Sequence, residues 1–482
     1  MAVTRPAMYR RHSTYSATTS SHCPGCKSEY HVCTMHPAFA KFCLFFPVVW
    51  LRGEKVGRYL RRYQKSQWDA PRIVRERQHA RFLQLVTFAK DNVPHYARTL
   101  ADIDLNGLAE ISELEFVNKK DLIENKSNFV ARRRFRHSVK TTGGSTWEPM
   151  TLYKDSEAMA MERAALWRGY SWAGIDIGDP QGRFWGMPQG GNARMEAKLV
   201  DFINNRHRIY AFDFDESTFM AHYQALSAFQ PRYLYGYVSL IRLFGEFLAE
   251  NKLVVPPSLH SIITTAEELT EEARHSLESS FGVKVYNEYG SGEIGTIAHE
   301  CPLGQLHISA ENVLVEVIDA RGNPCEPGEL GELVVTELNN HMFPLIRYRI
   351  GDMGRIATDA CECGRGLPVL SGVYGRVYDI IQTPAGRNFH PAYFSYVFKE
   401  LTQHGVDVRQ FQVHQSSLST LHIKLIPVCE LSEQAINRLR QRIQKDMGFE
   451  MTIEINLVEK IPRERSGKFR AVKGLQLKAP FQ

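Results

Sequence analysis

Between about residues 140 and 370 the chain alternates short strand-like runs with helical stretches, and this alternation restricts the possible folds more than any other feature. Ser261–Thr265, Lys284–Asn287, Val313–Ile318 and Glu332–Leu338 read as strands, and 155–170, 216–228, 238–252 and 269–281 as helices. That order predicts a mixed α/β body. After Gly375 the pattern changes to a smaller α+β unit. There Val408–Val413 and Leu421–Pro427 form a strand pair around Gln415–Ser419, Ser432–Met447 reads as a helix, and Thr452–Val458 as a last strand. Upstream, apolar positions from Trp68 to Arg98 predict a helix closed off around Pro94. The expected layout is an extension with little fixed structure (1–36), a large domain (37–375) and a C-terminal domain (376–482).

With 43% apolar and 23% charged residues among 482, a mostly disordered chain is excluded. A net charge of +6 over this length permits anionic small ligands and does not call for nucleic acid. The first forty residues carry no apolar leader. The stretch Ala38–Leu51 is broken by Lys41 and Pro47 and is shorter than the roughly 20 residues a membrane span needs, so it reads as a packing or surface-docking segment. Nine cysteines, an odd number, fit a reducing, cytoplasmic setting, where clustered thiols suggest metal or catalysis before disulfides.

Two glycine-rich runs raise the question of phosphate binding. Thr141-Thr142-Gly143-Gly144-Ser145-Thr146 follows the strand-like His137–Lys140, and its backbone N–H groups and hydroxyls could form an anion nest. It lacks the lysine of a P-loop, and a flexible surface loop is the alternative. Gly290-Ser291-Gly292-Glu293-Ile294-Gly295 formally matches G-x-G-x-x-G. Pro302 and Gly304 would break the helix that must follow, so a dinucleotide site is rejected.

Further segments complete a pattern: Tyr286-Asn287-Glu288-Tyr289-Gly290-Ser291-Gly292-Glu293, Arg347-Tyr348-Arg349-Ile350-Gly351-Asp352, Gly375-Arg376-Val377-Tyr378-Asp379 and Arg465-Ser466-Gly467-Lys468. In this order they resemble the adenylate-forming enzyme superfamily. Within it the chain is most similar to the phenylacetate–CoA ligase family, in the branch that includes capsular-polysaccharide biosynthesis proteins. Phe343–Arg349 and Thr383–Arg387 carry that finer likeness, and the resemblance spans roughly residues 40 to 475.

The resemblance implies that a small carboxylic acid attacks ATP to give acyl-AMP, followed by transfer to coenzyme A or another acyl acceptor, an amine or a carrier protein. It assigns Thr141, Thr142, Gly143, Gly144, Ser145 and Thr146 to the β- and γ-phosphates, Glu293 to Mg²⁺, and Gly290 and Ser291 to the α-phosphate region. Tyr289 would face adenine, with Ala266 and Glu267 opposite. Asp352, supported by Arg376, would hold the ribose, and Lys468 would neutralise charge forming between acid and phosphate. Trp185, Tyr235, Gly236, Tyr237 and Tyr286 are the acyl-pocket candidates, and Tyr378 lies at the hinge on which the C-terminal domain would rotate. Taken singly, Asp352 could shape a turn, Glu293 could be a surface carboxylate and Lys468 a tail lysine; the ordered set favours function. Trp147 and Tyr378 depart from the family pattern, which leaves open a nucleotide-binding protein with impaired turnover.

Cys301, His307, Cys361 and Cys363 have spacings suited to zinc, and some family members carry such a set as a structural site away from the catalytic centre. Buried thiols and a core histidine are the alternative. Cys23, Cys26 and Cys33 with His31 and His36 lack the basic and aromatic surroundings of a nucleic-acid module.

Overall fold

The computed structural model describes residues 34–105, 111–141, 150–186, 191–210, 216–376, 379–389, 391–402, 405–464 and 467–475. The expectation for the first 33 residues therefore lies outside the described ones.

Two strands, β1 (His137–Thr141) and β2 (Thr151–Asp155), pair as a separate antiparallel ribbon. The main sheet then takes β3 (Gln181–Trp185), β4 (Arg206–Tyr210), β5 (Tyr233–Gly236), β6 (Ser261–Thr265), β7 (Lys284–Ser291), β8 (Gly295–Glu300), β9 (Leu306–Ile308), β10 (Val313–Ile318), β11 (Gly331–Glu337), β12 (Tyr348–Ile356) and β13 (Val369–Arg376). Its order is β10-β11-β12-β13-β9-β8-β7-β6-β5-β3-β4, 11 strands in all. The strands from β4 to β7 run parallel, and the remainder are antiparallel.

The parallel half is covered on both faces, and every residue of β6 is buried, the small hydroxyl residues Ser261, Thr264 and Thr265 as well as Ile262 and Ile263. Ile262 packs with the helices Val238–Glu250 and Glu271–Phe281, while Ile263 points to the opposite layer, formed by Ser156–Trp172 and Val56–Ser66. Fully burying one such aliphatic side chain stabilises the fold by roughly 1.5–3 kcal/mol. Gly236 is required where β5 meets β3: its φ is +154°, and a Cβ there would lie 2.0 Å from the Phe184 carbonyl.

The C-terminal part adds β14 (Ile381–Gln382) with β15 (Asn388–Phe389), then β16 (Val408–Ser417), β17 (Thr420–Pro427), β18 (Thr452–Leu457) and β19 (Val472–Lys473). The last four make a sheet in the order β18-β17-β16-β19, and Leu439, Ile443 and Met447 of the Glu433–Met447 helix complete its own apolar core. The upstream helix runs Pro71–Asn92 and closes just before Pro94, as expected, and Pro94 then opens a second short helix, Pro94–Thr99, that was not anticipated. At the first helical position proline lacks only an N–H that would be unpaired anyway.

Candidate active site

The turn joining β7 to β8 carries Ser291 and Glu293. Ser291 Oγ accepts from the Ile294 N–H at 3.1 Å, and Glu293 Oε1 lies 3.9 Å from Lys119 Nζ. A hairpin here, in place of a helix, fits the rejection of a dinucleotide site. Gly290 has no room for a Cβ, which would sit 2.4 Å from the Gly295 carbonyl oxygen.

Below that turn lies a buried charge cluster. Lys154 of β2, 3% exposed, bonds Glu162 at 2.5 Å, Glu337 of β11 and the Ile294 carbonyl at 2.7 Å. Lys140, one residue before Thr141, also binds Glu162 at 2.8 Å. Burial works against charge at every member. For Glu162 the two lysines overcome it and hold the carboxyl down at about 2, whereas burial leaves Glu337 raised. The cluster thus fixes the strand leading into the Thr141 run and the turn bearing Glu293 to one frame.

Tyr289 and Asp352, 63 residues apart, meet directly: the phenol donates to Asp352 Oδ2 at 2.9 Å. Asp352 stands opposite Arg376 in the β12–β13 register. Thr142, Gly143, Gly144, Ser145, Thr146, Trp147 and Tyr378 lie outside the described residues; Thr141 ends β1 opposite Thr151.

Ala266 adopts a left-handed conformation, φ +68°, immediately after β6. Its neighbour Glu267 has protein partners on both oxygens. Oε2 accepts from the Ser239 N–H at the start of the Val238–Glu250 helix, and Oε1 from the Phe469 N–H, both at 2.8 Å. Arg463 Nη1 lies 3.7 Å from the same carboxylate and donates to Ser239 Oγ at 2.9 Å. Glu267 therefore ties the segment containing Lys468, one residue before Phe469, to the ends of the parallel strands. Sequence reading placed Glu267 beside adenine and did not anticipate this tie; Arg463, four residues before Gly467, was the available signal.

The acyl-pocket candidates form one aromatic group. Trp185 packs on Tyr237 with centroids 4.4 Å apart and stacks on Tyr235 at 5.8 Å. Tyr286 joins the same layer at its edge. Between Trp185 and Tyr235 sits a residue absent from the sequence reading, Arg183, whose guanidinium lies 4.8 and 4.7 Å from the two rings. Alternation along β3, a strand not read from the sequence, puts Gln181, Arg183 and Trp185 on one face.

Nearby, Glu288 is 7% exposed and accepts from the Tyr170 hydroxyl at 2.8 Å. Burial pushes its carboxyl up to about 7, opposed by Tyr170 and Arg183. A raised folded-state value means that stability is present at low pH and lost as pH rises through about 7. The Glu288→Gln variant should match the wild type near pH 4 and exceed its stability by about 3 kcal/mol near pH 8. Thermal unfolding followed across that range checks this; a variant weaker than wild type at the alkaline end contradicts it.

Cys301, His307, Cys361 and Cys363 converge, with ligand atoms all within 4.8 Å of one another. Cys301 and Cys361 sulfurs are 3.8 Å apart, close to the edge of a tetrahedron with Zn–S bonds of about 2.3 Å, and too far for a disulfide. His307 Nδ1 is 3.1 Å from the Leu367 carbonyl, and Nε2 faces Cys363 Sγ at 3.2 Å. Bonding through Nδ1–H would leave Nε2 as the ligand atom. The donor set fits zinc.

Comparison with known proteins agrees with this architecture. Residues 381–474 match the family model described as the CapK C-terminal domain. The chain is 24% identical to Protein CapK of Staphylococcus aureus, over 85% of this chain and 92% of that protein. It is 25% identical to the phenylacetate-coenzyme A ligase of Thermus thermophilus, over 86% and 99%. Among solved structures, a 2-hydroxyisobutyryl-CoA ligase in the postadenylation state aligns with a TM-score of 0.65 at 20% identity, covering 82% of this chain and 88% of that one. The fold is that of the AMP-forming acyl-CoA ligases. In sequence the chain's relatives are CapK and the phenylacetate–coenzyme A ligases, so the resemblance drawn from the motifs holds.

Proposed function

We propose that the protein activates a small carboxylic acid with ATP as an acyl-AMP and then transfers the acyl group to coenzyme A. The observation that carries this reading is the bond from the Phe469 N–H to Glu267, which ties the Lys468 segment to the end of β6, the neighbour of the strand whose Tyr289 donates to Asp352. Tyr289 and Asp352 would hold the nucleoside, and the Thr141–Thr146 run the phosphates. Glu293 is the carboxylate suited to a hard cation, and Mg²⁺ there would neutralise phosphate charge. As an acid oxygen attacks the α-phosphorus and pyrophosphate departs, the Lys468 ammonium would offset charge passing between them. Incubation with ATP, Mg²⁺, coenzyme A and an acid panel should yield AMP, pyrophosphate and a thioester; ADP as the product would refute the reading.

Arg183 bears on which acid is used. A guanidinium in an aromatic wall favours an acid with an anionic or acceptor group at its far end. With such an acid Arg183→Met should raise KM by about 10- to 100-fold and leave the KM for ATP unchanged. An equal loss for simple aliphatic acids would count against this role.

The cysteine–histidine cluster lies apart from this region, packed with Val74 and Trp172, and we assign it a structural zinc. Purified protein should contain stoichiometric zinc, and Cys361→Ser should lose both the metal and part of its thermal stability. Full stability in metal-free protein would argue for buried thiols instead. Among the described residues no helix is long and apolar enough to cross a membrane.

A further inference from the structure

The segment expected to pack or dock does half of each. Residues Pro37–Phe39, Ala40–Phe45 and Phe46–Leu51 form consecutive helical turns that bury Ala40, Phe45 and Val49. The same turns leave Phe42 63%, Trp50 74% and Leu51 63% exposed. Isolated exposed apolar residues are ordinary, but three large ones on one short segment are not.

Asp176 pairs with Lys41 beside Phe42, but along the chain from Trp50 to Ser66 the exposed charges share one sign. From Trp50 to Ser66 the exposed charged side chains are Arg52, Lys55, Arg58, Arg61, Arg62 and Lys65. The one acid in that stretch, Glu54, is 1% exposed and paired with Arg163 at 2.7 Å. In the Val56–Ser66 helix, Val56, Tyr59 and Tyr63 face the core, so Arg58, Arg61, Arg62 and Lys65 form an outward stripe. Aromatic and basic groups border a single groove of about 500 Å³, lined by Phe42, Phe46, Trp50, Lys55 and Arg58. Arg136 extends the basic face by donating to the Leu51 carbonyl.

We propose that this face docks on an anionic lipid bilayer, with Trp50, Phe42 and Leu51 entering the interface and the basic stripe lying over the headgroups. Exposed tryptophan beside a one-sign basic stripe matches the two requirements of interfacial attachment, apolar insertion and attraction to negative lipid. A specific protein partner would more often be matched by mixed charges that fix its register. Attachment of this kind is peripheral and reversible.

Sedimentation of the full-length protein with phosphatidylcholine vesicles, with and without phosphatidylserine, tests the proposal. Binding should require phosphatidylserine and weaken with added salt. The triple variant Arg58→Gln/Arg61→Gln/Arg62→Gln should bind about 100-fold more weakly, at roughly fivefold per basic residue. Trp50→Ala/Phe42→Ala should also lose binding while retaining the wild-type melting temperature, since both side chains are exposed. Equal binding to neutral vesicles, no binding to either, or unchanged affinity in the variants would overturn it. So would a concentration-dependent dimer abolished by Trp50→Ala/Phe42→Ala, which would make the face a contact between copies of the chain.

Discussion

Lys468→Ala should lower acid-dependent ATP–pyrophosphate exchange by roughly 100- to 1000-fold, the range expected when one preorganised charge at a developing transition state is removed. The effect should be confined to adenylation. ATP affinity should stay within a few fold, because the residues proposed to hold ATP, Tyr289, Asp352 and the Thr141–Thr146 run, are separate from this side chain. Reaction of preformed acyl-AMP with coenzyme A should also proceed, since a catalytic lysine for the first step has no charge to neutralise in the second. Lys468→Arg keeps the charge but replaces a compact ammonium with a planar fork, so only partial activity is expected. An alanine variant with undiminished exchange would return Lys468 to the status of an ordinary tail residue.

The largest stability effect should come from Lys154. Its amine is the shared partner of Glu162, Glu337 and the Ile294 carbonyl in a region almost closed to water. Lys154→Met would leave two buried carboxylates and one carbonyl without that donor, and removing one member of a buried charge network costs about 3–5 kcal/mol. Urea unfolding measures this directly. Combining the change with Glu337→Gln should recover much of the loss, because Lys140 still pairs with Glu162 and no uncompensated charge is left. The single variant should also lose exchange activity at temperatures where it remains folded, since the Glu293 turn and β1 share this anchor. A loss under about 1 kcal/mol would mean the cluster is far better solvated than its burial implies.

How much of this was legible in the chain depended on the range of the interactions involved. β6 could be assigned to the residue because Ile262, Ile263, Thr264 and Thr265 are β-branched and suit an extended backbone. β7 was read as Lys284–Asn287 but continues to Ser291, because Glu288 looks like a strand end until Tyr170 is seen to accommodate it. Cys301, His307, Cys361 and Cys363 were found from spacing, since metal-type donors are rare enough to stand out. The partners of Lys154 were not, because acids are common and only the packed sheet selects Glu162 and Glu337. Glu267 was singled out by resemblance, yet its bond to Phe469, 202 residues away, depends on how the two sheets are set together. Arg183 was missed for a different reason: the strand Gln181–Trp185 was not read from the sequence, and without it nothing puts Arg183 on the face of Trp185.

In the proposed reaction one bound nucleotide is attacked by a carboxylic acid whose far end lies beside Arg183, Trp185 and Tyr235. Exchange of labelled pyrophosphate into ATP, measured for the wild-type protein over a panel of carboxylic acids without coenzyme A, tests it most directly. Exchange should depend on both Mg²⁺ and the acid, and be strongest for acids bearing an acceptor or anionic group at the far end. Tight ATP binding with no acid-stimulated exchange across the panel would contradict it.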